Sequence, residues 1–246
     1  MKSLVIAPVL PADSGNGLAM RAGMFVDALH QLGEVDVLVL PVAGKLGEAS
    51  LCRRLGIRPT IIEISGRGDT HYAMLRRLAD PRARLEAFRR YGRPSLSAAL
   101  SVSVLGDVRR YLAGRRFDMV HVARSYLLPV TGVFGEALVN ALSTDLDEDD
   151  VETYRRIGAL HGLRGNDDAK AWAEAEALAF ERQTAHWLPR ADLVFIATEK
   201  ERDTILARYG VRPIVAANAV APPASLPSRR AQPGARQLDG RGELHD

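Results

Sequence analysis

The stretch LVIAPVLPADSGNGLAMRAGMFVDALHQLGEVDVLVLP, residues 4–41, decides the fold. Leu4 to Ala7 is a short apolar run of the kind buried on both faces of a parallel sheet. Leu18, Ala22, Phe25, Leu29 and Leu32 then recur at three- and four-residue spacing, and Gly33 stands where a left-handed helix stop is expected. Val35 to Leu40 is a second apolar run. Strand, loop, amphipathic helix and strand in that order form a parallel βαβ unit, because parallel strands need a crossover that a helix supplies.

The alternation continues outward. Further strands are expected at Thr60 to Ile64, Met119 to Val122, Leu138 to Thr144, Leu193 to Ala197 and Pro213 to Ala216. Between the last two, Thr198 and Glu201 read as a capping box and Gly210 as the helix stop. Ser95 is expected to cap a helix bearing Leu100, Val104, Val108 and Leu112. Two more helices, about Glu148 to Leu163 and Asp167 to Trp187, flank the polar Arg164 to Asn166, with Trp172, Ala175, Leu178 and Ala179 as core positions. The expectation is an α/β fold, doubly wound around a mainly parallel sheet of about seven strands, over residues 1–220. From 221 to 246 the composition turns to Pro, Arg, Gly and Ser, which reads as a disordered tail. It begins where a two-domain enzyme would enter its next sheet, an arrangement that suggests truncation.

Composition narrows the class. Hydrophobic residues are 47% and charged residues 26% of the 246, with a net charge of +3, which suits a packed soluble domain. Arginine supplies 29 of the 33 basic residues, a bias that fits either solvated helix faces or a surface for phosphates and anionic lipid. Cys52 is alone, so an intramolecular disulfide and a cysteine-based zinc site are excluded and a reducing cytoplasm is expected. No run of 18 apolar residues occurs, so the expected protein is cytoplasmic, or peripheral at a membrane.

Four constellations could bear chemistry. Gly15, Asn16 and Gly17 lie in the loop from the first strand to the first helix, at the edge where open α/β sheets bind ligands. Backbone N–H groups at such a helix start can cradle phosphate, or the segment is an ordinary loop. Met20 stands at the third glycine position of a dinucleotide fingerprint and no Gly-Lys-Ser/Thr follows, so neither that motif nor a P-loop is present. The run Asp145 to Asp150 offers either Asp145 and Asp147 as magnesium or manganese ligands, or carboxylates that cap the next helix. His121 and Arg124 end the fourth strand; His121 could orient an acceptor hydroxyl or be a hydrogen-bonded core residue, and Arg124 could bind phosphate or carboxylate. The arginines from Arg76 to Arg93 alternate with Leu75, Leu78, Leu85 and Phe88, which suits a membrane-surface helix interrupted at Pro81 or a surface helical pair. No nucleic-acid module accompanies them.

In order and spacing these features resemble the N-terminal domain of family 4-like GT-B glycosyltransferases. The matching residues are Ala7, Pro8, Leu10 and Pro11 with Gly15, Asn16, Gly17 and Arg21; Phe117 to His121; the acidic stretch Asp145 to Thr153; and Ala191 to Val194 followed by Thr198 to Glu201. The likeness spans about residues 1–220. It implies transfer of a sugar from a nucleotide-sugar donor to a sugar or lipid-linked acceptor, with no cofactor. It assigns Gly15, Asn16, Gly17, Arg21 and Arg124 to substrate binding and His121 to catalysis. Ala123 departs from the second histidine common among relatives, and the nucleotide-binding C-terminal domain is not recognised here. Weak donor binding and little or no activity of the chain alone are therefore expected. A non-catalytic α/β binding module, or a metal-dependent transferase using Asp145 and Asp147, are the alternatives.

Overall fold

A computed structural model describes residues 1–42, 46–135 and 139–218. The expected tail from 221 lies outside the described residues, as does Leu138 at the start of the fifth expected strand. Seven strands form one sheet: β1 (Lys2–Ala7), β2 (Glu34–Val39), β3 (Thr60–Ile61), β4 (Phe117–Ala123), β5 (Val139–Asp145), β6 (Leu193–Ile196) and β7 (Ile214–Val215). Their spatial order is β3-β2-β1-β4-β5-β6-β7, and every pairing is parallel. The first six strands in that order define the Rossmann-type sheet, whose connections reverse direction between β1 and β4.

Side chains alternate across β1 as a strand of period two requires. Val5 and Ala7 face α1 (Gly17–Leu32), packing with Ala22, Val26 and Leu29 and with Cys52 of the short α2 (Ser50–Arg54). Leu4 and Ile6 face the other way, toward a larger core that α5 (Val102–Leu112), α6 (Asp150–Leu163), α7 (Asp167–Trp187) and α8 (Glu199–Tyr209) help to build. Helices thus cover both faces, and the sheet is doubly wound. Two further helices, α3 (Thr70–Leu75) and α4 (Pro81–Tyr91), make a satellite cluster in which Leu75 and Phe88 pack on Ala175 and Ala179 of α7.

Several local expectations need correction. Ser95 does not cap α5: it opens a 3₁₀ segment, Ser95–Ala99, and Ser101 accepts from the Val104 N–H instead. Pro81 does not interrupt a helix but begins one, since its missing N–H costs nothing in the first turn and Asp80 caps the N–H groups of Arg82 and Ala83. The apolar side of that helix is spent on packing, with Phe88 stacked on Trp172. Leu178, read as core, is 44% exposed. β3 and β7 shrink to two residues each at the sheet edges. Gly33 ends α1 at φ 152°, not in the left-handed helical region, and a Cβ there would lie 2.1 Å from the Met1 carbonyl oxygen. The capping box holds: the Thr198 Oγ1 accepts from the Glu201 N–H, and Gly210 closes α8.

Candidate binding cleft

A cleft of about 690 Å³ opens at the carboxyl ends of the central strands. The first turns of α1 supply Gly17, Leu18, Met20, Arg21 and Met24; the segments after β4, β5 and β6 supply Arg124 and Tyr126, Asp147 and Glu148, and Ala197, Thr198 and Glu201. Leu96 and Asn218 complete the lining. The volume is in the range of small-molecule sites, and the place is the crevice beside the topological switch point.

The loop ahead of α1 sets one wall. Asn16 caps the helix, its Oδ1 accepting from the Leu18 N–H at 2.8 Å. Further along, a Cβ on Gly23 would lie 2.1 Å from the Ala12 carbonyl oxygen, so only glycine lets the helix and the loop approach so closely. Gly17 lines the cleft, whereas Gly15 and Asn16 lie outside its lining, and Gly15 sits at φ 93°.

Arg21 faces inward and is taken up by the protein. Its Nε and Nη2 donate to the two carboxylate oxygens of Asp145, at 2.9 and 2.7 Å, a fork-on-fork pair that is almost fully buried. Its Nη1 donates to the Ala216 carbonyl and to the Asn218 Oδ1. The open substrate contact expected of Arg21 is replaced by a clamp that ties α1 to the end of β5 and to the segment after β7. The same pairing occupies both carboxylate oxygens of Asp145. Among the described residues no group of three or more His, Cys, Asp and Glu side chains is arranged to hold a metal.

Arg124 is held by a second set of acids. Its Nη2 donates to Asp150 at 2.7 Å and to Glu148 at 3.3 Å, and its Nη1 to Asp147 at 3.3 Å. Ser125 also donates to Asp150. Burial works against the guanidinium's charge, but the surrounding carboxylates, Asp150 foremost, win and push its pKa up. Burial likewise raises the Asp147 and Asp150 carboxyls, with Arg124 opposing in both cases. Asp149 has the capping role: its Oδ1 accepts from the Val151 N–H and its Oδ2 from Arg208 at 2.7 Å.

Backbone geometry singles out this corner. Arg124 at φ 75° and Asp147 at φ 60° are the non-glycine residues with positive φ among those described, and they pair with each other. For residues with a Cβ this conformation costs on the order of 1–2 kcal/mol each, and such strain gathers at functional sites. With Arg21 and Arg124 set among Asp145, Asp147, Glu148 and Asp150, the floor of the cleft is net acidic. The phosphate or carboxylate role read for Arg124 does not fit that balance.

His121 lies below the cleft, 1% exposed and outside its lining. The side chain points to the α1 face of the sheet, where its ring stacks on Phe25 at 4.1 Å between centroids. Its Nδ1 is 3.0 Å from the Ser143 Oγ. Burial, and secondarily the charge of Arg21, hold its pKa down to about 3, so the ring is neutral across physiological pH. A neutral, covered imidazole has no route to a substrate in this structure, and the expected catalytic contact is absent. Tyr126 and Leu96 line the cleft without having been marked in the sequence, since both come from 3₁₀ segments with no periodic signature.

Fold and cleft together define a Rossmann-like α/β protein with a crevice at the switch point of its sheet. No family model matches the sequence, and no curated protein matches it. Among solved structures, one described as a short-chain alcohol dehydrogenase from Burkholderia multivorans is similar over 87% of this chain and 94% of that chain, at 12% identity and a TM-score of 0.36.

Proposed function

We propose that this chain is the acceptor-side, Rossmann-like half of a GT-B-type glycosyltransferase, and that the cleft receives an uncharged, hydroxyl-bearing acceptor. The observation behind the reading is the meeting of the two strained residues, Arg124 and Asp147, on the wall of one cleft at the ligand-binding edge of the sheet. A diphosphate would enter a net negative surround there. Hydroxyl groups would not be repelled: they can donate to Asp147 and Glu148 and accept from Asn218, while Met20, Met24 and Tyr126 offer apolar area for the C–H face of a sugar ring. The sequence resemblance supplies the reaction class, and the charge of the cleft supplies the choice of acceptor over donor.

The test is a calorimetric titration of the purified chain with a panel of nucleotide sugars. Binding weaker than about 1 mM is expected; micromolar affinity for any of them would overturn the assignment. A second reading, a non-catalytic binding module, draws on the burial of His121. A sugar-transfer assay of the chain mixed with a nucleotide-binding GT-B C-terminal domain separates the two: saturable product formation that needs both supports the enzyme and removes the module, and its absence favours the module.

A further inference from the structure

A second cavity, of about 530 Å³, shares no lining residue with the cleft. It is a groove between the α3–α4 pair and the start of α7. Three arginines are among its lining residues, the exposed Arg76 at the end of α3 and Arg82 and Arg84 in the first turns of α4, against one acid, Asp168. Of the seven arginines from Arg76 to Arg93, only Arg89 and Arg93 form ion pairs among the described residues. Arg84 is half-buried all the same. Elsewhere the buried and half-buried arginines Arg21, Arg67, Arg124, Arg202 and Arg208 are each matched by acids. Trp172 forms a rigid wall of the groove, its ring stacked on the fully buried Phe88 at 4.5 Å between centroids.

We infer that this groove binds a phosphate monoester, the phosphate against Arg76, Arg82 and Arg84 and the organic part against Trp172 and Leu85. Guanidinium forks match the oxygens of a tetrahedral oxyanion, and a dianion answers the surplus of positive charge. An aromatic wall beside them favours a ligand whose phosphate is attached to an apolar or ring-bearing group over inorganic phosphate. The same chemistry is offered by a soluble ester and by a phosphatidic acid headgroup.

Two probes separate these sources: phenyl phosphate by calorimetry, with benzyl alcohol as the uncharged control, and co-sedimentation with phosphatidylcholine vesicles with or without phosphatidic acid. The full chain is used throughout, alongside Arg76→Gln, Arg84→Gln and, in a different cavity, Arg109→Gln, with circular dichroism as the check of folding. Saturable binding of phenyl phosphate or of phosphatidic acid vesicles is expected, weakened about tenfold or more by Arg84→Gln and Arg76→Gln and unchanged by Arg109→Gln. Response to phenyl phosphate identifies a soluble ester as sufficient; response to vesicles alone identifies the lipid headgroup. Absence of saturable binding in both arms overturns the inference, as does binding that Arg76→Gln and Arg84→Gln leave intact or that Arg109→Gln weakens equally.

Discussion

Arg21 reaches across 124 positions of sequence to Asp145, and both side chains are removed from water. Losing one member of such a pair leaves the other buried and unmatched, which costs about 3–5 kcal/mol, whereas removing both is far milder. Urea denaturation of Arg21→Met should therefore show a loss of about that size, and the double change Arg21→Met with Asp145→Asn should recover part of it. His121 makes a second prediction, with a sign fixed by burial. Its imidazole titrates near ~6.5 in an unfolded chain and at about 3 in the fold. The unfolded state binds the proton first, so stability present above ~6.5 falls as the pH drops toward 3, by up to about 1.4 kcal/mol per pH unit from this group. Stability measured from pH 4 to 7 should decline less steeply in His121→Asn than in the unaltered chain; parallel slopes would show that His121 does not titrate this way. The sequence placed His121 at the end of the fourth strand and the resemblance named Arg21, but neither gave their surroundings. Strand alternation places His121 on a face, not under a helix, and an arginine's partner 124 residues away leaves no local trace.

Among the elements, α1 was the most legible piece, because its apolar stripe and its stop at Gly33 agree with one another, although its cap at Asn16 was read only as part of a ligand loop. The βα alternation likewise announced the parallel sheet. What spacing did not disclose was close approach. Glycine weakens a helix interior, yet Gly23 is the point where α1 meets the Ala12 carbonyl. Gly23→Ala should accordingly lower the melting temperature, although alanine favours helices, and should shift the loop that sets the cleft wall; a raised melting temperature would mean that the contact yields freely. Ser95 shows the opposite failure. A serine placed well for capping joined a buried network instead, its N–H donating to the Glu176 carboxylate at 3.0 Å and its hydroxyl to the same group. Burial of that carboxylate raises its pKa, with the Ser95 hydrogen bonds opposing. Short 3₁₀ segments such as Ser95–Ala99 and Ser125–Val133 follow tertiary packing more than local pattern, and they bring Leu96 and Tyr126 to the cleft.

For the whole molecule, the covered sheet leaves its carboxyl edge as the place where side chains from α1, β4, β5 and β6 converge, and the cleft there is acidic with an apolar lining. The proposed occupant of this cleft is an uncharged, hydroxyl-bearing acceptor. The chain's five methionines provide reporters, since Met20 and Met24 line the cleft while Met1, Met74 and Met119 do not. Methyl-labelled methionine NMR, with neutral saccharides and nucleotide sugars titrated in turn, reads the cleft directly. Saturable shifts at Met20 and Met24 with a saccharide, the other three methyls unmoved and nucleotide sugars weak or silent, are the predicted result. Tight, saturable shifts of Met20 and Met24 with a nucleotide sugar, and none with any saccharide, would contradict it.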